Sequence, residues 1–169
     1  DDPVQGHVAE ALAKVARKKP DLPVVVLHSA ADKVPDPAER RRIRSANQSL
    51  FEKAAKRKQG KHQGIYFDDS DVYKIVEGAA YSLALDPDPA LRERVNALVE
   101  LFAAAQEPDG YLYTARTIDP DNPAPGAGKN RWDNIKDAHE LYCMGHMIEA
   151  AVAHYDATGS DAFLQVARK

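Results

Sequence analysis

The stretch of residues 137–159 constrains the fold most, because it is typical of one long amphipathic helix. Asp137 is an N-cap type of residue, no proline interrupts the stretch, and Gly159 suits the left-handed end of a helix. At about 100° per residue, His139, Cys143 and His146 fall on one side of this helix. The pattern predicts a helix over residues 138–157 with two imidazoles and a thiol in line on a polar face.

The other side of the same helix carries the apolar residues, which are Met144, Ile148, Ala151, Val152 and Tyr155. An amphipathic helix buries its apolar stripe and turns its polar stripe outwards or into a cavity. We therefore expect the apolar side to be buried and the histidine side to line a pocket.

Helical spacing of apolar residues also predicts helices over residues 4–18, 71–83 and 90–105, and a composition rich in Arg, Lys, Ala and Glu predicts one over residues 38–57. Residues 111–114 form a short extended piece, and the Pro-, Gly- and Asn-rich stretch 118–130 is longer than a usual connection, which favours a functional or covering loop. Residues 22–27 have strand character, although no partner strand is evident. Little sheet is therefore expected.

Two parts of the chain repeat each other. The stretches that begin at Glu77 and at Glu149 align without a gap, and each contains a helix end, a short polar turn and a new helix start. Successive αα-hairpins of this kind bury their apolar sides against neighbours, as in α-solenoids and α/α toroids. The fold class predicted is all-α, built from αα-hairpins.

Charge and composition exclude some partners. A net charge of −3 on 169 residues gives no reason to expect binding to nucleic acid, and no apolar run is long enough to span a membrane. We expect a soluble protein and leave open the cytoplasm or periplasm, because no signal peptide pattern is present in this chain. The first residue, Asp1, and the last, Lys169, which stands within an apparent helix, predict a fragment of a longer protein.

Three motifs resemble those of glycoside hydrolase family 127, the β-L-arabinofuranosidase family. They span residues 67–77, residues 105–112 and, above all, residues 139–155, which read HELYCMGHMIEAAVAHY. The resemblance implies an (α/α)6 barrel, of which residues 46–169 would supply the N-terminal hairpins, truncated at the C-terminus. Residues 1–45 depart from the family pattern and are left as a segment of uncertain fold.

The same resemblance implies retaining hydrolysis of β-L-arabinofuranosides, with a glycan that contains L-arabinofuranose as the partner. Members of this family use a zinc-bound cysteine as nucleophile and a glutamate as acid/base, and both lie beyond the stretch matched here. This chain would therefore hold no catalytic residue and no zinc ligand. His139 matches a histidine that binds the sugar in the −1 subsite, and His146, Asp69 and Asp71 match motif positions, so these four are the predicted substrate-binding residues.

Other interpretations of the same residues stay open. His139, Cys143 and His146 could ligate zinc directly, although their spacing is not an established zinc signature, and Cys143 as a nucleophile is less favoured than Cys143 as a small buried residue. Asp69 and Asp71 could cap a helix instead of facing a pocket. The tyrosines of the extended piece could stack on a sugar or pack under the loop, and packing is favoured.

Two classes of function therefore compete. One is the enzyme fragment described above, which we expect to be inactive alone. The other is a helical-hairpin binding or scaffold module without catalysis, which would use its concave face for a partner protein. The polar row of His139 and His146 favours the enzyme, because the centre of a protein-binding groove is more often apolar. A homodimer is left open.

Overall fold

The computed structural model describes residues 37–169. Over these residues the chain forms helices and no β-strand, which confirms the all-α prediction for this part. The predicted helix near the N-terminus (residues 4–18) and the strand at residues 22–27 lie outside the described residues. The helices are α1 (Pro37–Ala54), α2 (Asp69–Leu85), α3 (Pro89–Ala105), α4 (Thr114–Thr117), α5 (Ile135–Ala138), α6 (Glu140–Thr158) and α7 (Ala162–Arg168).

The turn between α2 and α3 is encoded locally. Asp88 caps α3, because its side chain accepts hydrogen bonds from the backbone N–H of Ala90 at 2.8 Å and of Leu91 at 3.1 Å. Pro89 occupies the first helical position, where its missing N–H leaves no bond unmade. The two helices thus form an αα-hairpin with a short link, as the sequence predicts.

The stretch 137–159 is not one helix, so that prediction is wrong at its N-terminal end. His139 has φ 61° and ψ 23°, a left-handed conformation that separates α5 from α6. Asp137 therefore lies within α5 and does not cap α6. The Tyr113 hydroxyl donates to the carbonyl oxygen of Ala138, so a contact from outside the helix occupies this carbonyl at the break. The C-terminal end is confirmed, since Gly159 adopts φ 70°.

The buried side of α6 also differs from the prediction. Ile148, Val152 and Tyr155 are each about 45% exposed, whereas Cys143 and Ala150 are buried. Helices α2 and α7 pack against the side of α6 that carries Cys143 and Ala150. Small side chains such as these allow neighbouring helices to pack closely. A prediction based on hydrophobicity alone favours the larger apolar side chains and therefore selects the wrong side of the helix. Ala151, which the sequence placed on the buried side, is buried as expected.

Helices α2 and α6 run parallel, side by side. Phe67, just before α2, contacts Cys143 near the start of α6, and further along Lys74 and Glu77 lie beside Tyr142 and His146. Beneath this pair, aromatic rings from four elements pack together, with Phe51 4.8 Å from Phe102 between ring centroids. This core fixes the relative positions of α2 and α6, and therefore of the side chains between them.

The long loop between α4 and α5 is held to the body of the molecule. Arg116 Nη1 donates to the carbonyl oxygens of Gly128 and Lys129, both at 2.8 Å. A side chain at Gly126 would clash with the Tyr66 ring, so the loop passes directly over that ring. None of the helices within residues 37–169 has both the length and the apolar content that crossing a bilayer requires.

Candidate functional site

His139 is held in place at the break between α5 and α6. Its ring stacks on Phe67, with centroids 4.6 Å apart and planes inclined by 25°. Nδ1 lies 2.6 Å from the carbonyl oxygen of Asp137. A carbonyl oxygen can only accept, so Nδ1 carries the proton, and in the neutral ring Nε2 carries the lone pair. The imidazole is therefore oriented with a defined acceptor atom.

Tyr142 joins the two predicted histidines into one surface. Its ring stands edge-on to His139, at 5.6 Å between centroids, and edge-on to His146, at 4.6 Å. Lys74 Nζ donates to the Tyr142 hydroxyl at 2.7 Å and so fixes this ring from α2. We call His139, Tyr142 and His146 the imidazole row. The structure thus brings His139 and His146 together, but through a tyrosine that the sequence interpretation missed.

The spacing of these residues could have revealed Tyr142. It lies three residues after His139 and four before His146, and side chains at these spacings meet on a helix. Phe67 opens the first family motif, yet its position against His139 depends on a contact between distant segments. Lys74 gives no local signal for its contact with Tyr142, since 68 residues separate them.

The far end of the imidazole row is acidic. His146 Nδ1 lies 3.1 Å from a carboxylate oxygen of Glu149, and Glu77 approaches the same place from α2. One ligand atom from each of these three residues lies within 4.8 Å of the others. Burial, and then the charge of Lys74, lower the pKa of His146, while burial raises the pKa of Glu77. Glu77 also accepts a 2.9 Å hydrogen bond from the Tyr81 hydroxyl.

Asp69 is fully buried and bonds to another segment. Its carboxylate accepts from the Thr114 backbone N–H at 2.8 Å and from the Thr114 hydroxyl at 2.5 Å. Its side chain thus holds the start of α4, which differs from the capping role considered for it. Burial raises the pKa of Asp69 to about 7 despite these bonds. Asp71 is buried in the first turn of α2.

The surroundings of Cys143 disfavour its thiolate form. The residue is buried, its Sγ lies 3.6 Å from the carbonyl oxygen of Phe67, and burial raises its pKa well above the usual range. A nucleophilic or zinc-bound cysteine is a thiolate, which this environment disfavours. Cys143 also does not converge with histidine or carboxylate ligands, because the cluster found in the described part of the chain consists of Glu77, His146 and Glu149.

The tyrosines of the extended piece pack as expected. Tyr111 and Tyr113 are buried, and the Tyr111 hydroxyl donates to Glu140 at 2.5 Å. Glu140 also accepts from the backbone N–H of Trp132 at 3.0 Å, so one buried carboxylate joins the end of the long loop to the start of α6. The loop therefore approaches His139 at two places, here beside Glu140 and at Gly126 over the Tyr66 ring, whose centroid lies 6.1 Å from that of His139. This arrangement suits a covering loop.

Comparison with known proteins gives consistent matches. The family model described as the beta-L-arabinofuranosidase GH127 catalytic domain matches residues 14–169. The non-reducing end beta-L-arabinofuranosidase of Bifidobacterium longum subsp. longum is 47% identical over 106 residues, which are 63% of this chain. The chain spans only 16% of the length of that relative.

Solved structures of enzymes in the same family are also similar to this chain. A GH127 beta-arabinofuranosidase superposes with a TM-score of 0.71 at 46% identity, over 82% of this chain and 22% of that structure. The GH127 beta-L-arabinofuranosidase of Geobacillus stearothermophilus T6 gives 0.69 at 35% identity, over 98% and 22% respectively. The hairpins of this chain therefore have the fold of the helical barrel of these enzymes.

Proposed function

The chain belongs to glycoside hydrolase family 127, and on this premise we propose that it is the part of a retaining β-L-arabinofuranosidase that holds the sugar. The observation that carries this proposal is the fixed orientation of His139. Phe67 sets the plane of its ring, and the backbone carbonyl oxygen of Asp137 accepts a hydrogen bond from Nδ1. An imidazole held in this way can accept a hydrogen bond from a furanose hydroxyl at Nε2.

The remaining predicted residues would support this contact in different ways. His146 packs edge-on against the Tyr142 ring, so we place it behind His139 in the imidazole row. Asp69 would act by joining the start of α2 to the start of α4, and Asp71 would act from its buried position in the first turn of α2. A sugar bound at His139 would lie beneath the long loop, close to Tyr66, and its substrate would be a glycan that contains L-arabinofuranose.

The catalytic zinc does not fit the residues of this chain. A zinc-activated cysteine requires an ionisable thiol among zinc ligands, whereas Cys143 is the only cysteine in the sequence and is buried against a carbonyl oxygen. In our proposal the nucleophile, the acid/base glutamate and the zinc ligands come from sequence outside these 169 residues. We therefore expect the purified chain alone not to hydrolyse a chromogenic β-L-arabinofuranoside, and turnover by it would refute this placement of the chemistry.

The sugar contact is tested by His139→Ala in the complete enzyme. The loss of one hydrogen bond that tightens in the transition state should lower kcat/KM by a factor of about ten or more, which corresponds to about 1.4 kcal/mol. His139→Gln, which retains an acceptor, should lose less. Melting temperatures of both variants provide the control. A lowered melting temperature with unchanged kcat/KM would remove His139 from the sugar site.

The scaffold alternative rests on the exposed apolar side of α6, where Ile148, Val152 and Tyr155 lie. In the proposed enzyme this side packs on further helices of the barrel, so the exposure has an explanation without a partner protein. The scaffold interpretation predicts no loss of function on replacing His139, and the kinetic test above therefore separates the two. A homodimer stays a prediction.

A further inference from the structure

Three potential metal ligands converge between α2 and α6, away from His139. Glu77, His146 and Glu149 each offer one ligand atom, and these atoms lie within 4.8 Å of one another. The closest pair, His146 Nδ1 and a Glu149 oxygen, is 3.1 Å apart. Zn²⁺ binds imidazole nitrogen and carboxylate oxygen at about 2.0–2.2 Å, so atoms bound to one ion lie within about 4.4 Å of each other. Small rotations of the side chains would bring the set within this limit, and the Glu149 side chain, which is 62% exposed, has room to rotate.

The helical geometry explains why these residues meet. His146 and Glu149 are three residues apart and project from one face of α6. Glu77 projects from the parallel helix α2, and the internal repeat of the sequence places Glu77 and Glu149 at corresponding positions of their helices. An i, i+3 pair of histidine and glutamate that faces a glutamate on another helix is also how helical bundles bind metal ions between their helices.

A second observation, the environment of the His146 ring, points to a metal ligand role for this residue. His146 Nδ1 is buried, and among the described residues it has no aligned hydrogen-bond partner, since Glu149 is near but poorly oriented. A buried ring nitrogen without a partner is costly, and a metal ion would bind it. Two carboxylates also face each other here, and the nearby cation, Lys74, has its ammonium hydrogen-bonded to the Tyr142 hydroxyl.

We propose that Glu77, His146 and Glu149 bind a divalent transition-metal ion, with Zn²⁺ as the best fit. One imidazole and two carboxylates are ligands that suit Zn²⁺, and three protein ligands leave one position open for water. The ion would neutralise the facing carboxylates and link α2 to α6. It would stabilise the surface behind Tyr142 and thereby the imidazole row. This site does not depend on the proposed function, and its ligands include no cysteine.

The test is a calorimetric titration of the 169-residue chain, stripped with EDTA, with ZnCl₂ at pH 7.5. We expect one saturable site and an increase in melting temperature on adding zinc. His146→Gln and Glu149→Gln should each weaken the affinity at least tenfold. Glu100→Gln is the matched control, because it removes an exposed carboxylate of α3 and should leave the affinity unchanged. Because Glu149 is exposed, its replacement tests the site without disturbing the core.

Several results would overturn the proposal. One is the absence of saturable zinc binding, and another is binding that both variants retain at the affinity of the Glu100→Gln control. Substitution with Co²⁺ gives a third readout, since thiolate charge-transfer bands would assign the ion to Cys143 instead. No glycoside is hydrolysed in these measurements, so their failure is distinguishable from failure of the proposed enzymatic function.

Discussion

Replacement of Asp69 should show how strongly one buried carboxylate joins α2 to the start of α4. Thr114 is fully buried, and both its N–H and its hydroxyl donate to Asp69. Asp69→Ala leaves both donors without an acceptor, and each such loss costs about 1–3 kcal/mol. We expect the free energy of unfolding to fall by about 2–6 kcal/mol. This is a large part of the stability of a domain, which is typically about 5–15 kcal/mol.

Asp69→Asn is the matched control. Its amide oxygen can still accept from the Thr114 N–H, and the Thr114 hydroxyl can rotate to accept from the new amide, so we expect a loss of about 1 kcal/mol or less. Urea unfolding followed by circular dichroism measures both variants. A double-mutant cycle with Thr114→Val isolates the hydroxyl bond and should give a coupling energy of about 1–2 kcal/mol. Additive effects, or equal losses for Asp69→Ala and Asp69→Asn, would refute this reasoning.

The pH dependence of the same residue follows from its pKa. Burial raises the pKa of Asp69 from 3.8 to about 7, so between these values the folded state binds more protons than the unfolded state. The contribution of Asp69 to stability therefore falls as the pH rises from about 4 to 7. Asp69→Asn cannot ionise and should lack this decline. If Asp69 instead contacts the sugar, Asp69→Asn should lower kcat/KM with little change in stability.

Two further predictions concern the loop and a second buried histidine. Gly126 has φ 92°, and a Cβ added there would clash with the Tyr66 ring, so Gly126→Ala should destabilise the protein by about 1–3 kcal/mol and raise KM. Gly145→Ala is the control, because a Cβ added at Gly145 meets nothing within 4 Å and should stabilise the protein slightly. Equal effects of the two substitutions on the melting temperature would contradict this prediction. His154 is fully buried and its pKa is lowered by burial and then by Arg92, so its neutral form favours folding and stability should fall as the pH drops below about 6.5. Urea unfolding at pH 7.5 and at pH 5.0 measures this loss of stability, which should be smaller in His154→Leu than in the unsubstituted protein. An equal loss in both proteins would show that other groups cause it.

Predictions from the sequence succeeded where the interactions are local and failed where they join residues far apart in the chain. Helix α3 begins and ends as expected because its signals, Asp88 and Pro89, act within one turn. The His139 break was missed because its contacts include one from Tyr113, which lies 25 residues before Ala138. The role of Asp69 depends on Thr114, which is 45 residues away. Helical spacing placed His139 on a polar face, whereas the sugar-binding role predicted for it came only from the family resemblance.

The sequence by itself determined most of the long helices, the hairpin turn at Asp88 and the family, because caps, apolar periodicity and motifs are local properties of the chain. Tertiary structure decided which side of α6 is buried, since that depends on which neighbours pack against Cys143 and Ala150. It also decided the convergence of Glu77 with His146 and Glu149. Both features depend on contacts between segments that are distant in the sequence, and these contacts contribute to stability only once the helices have packed together.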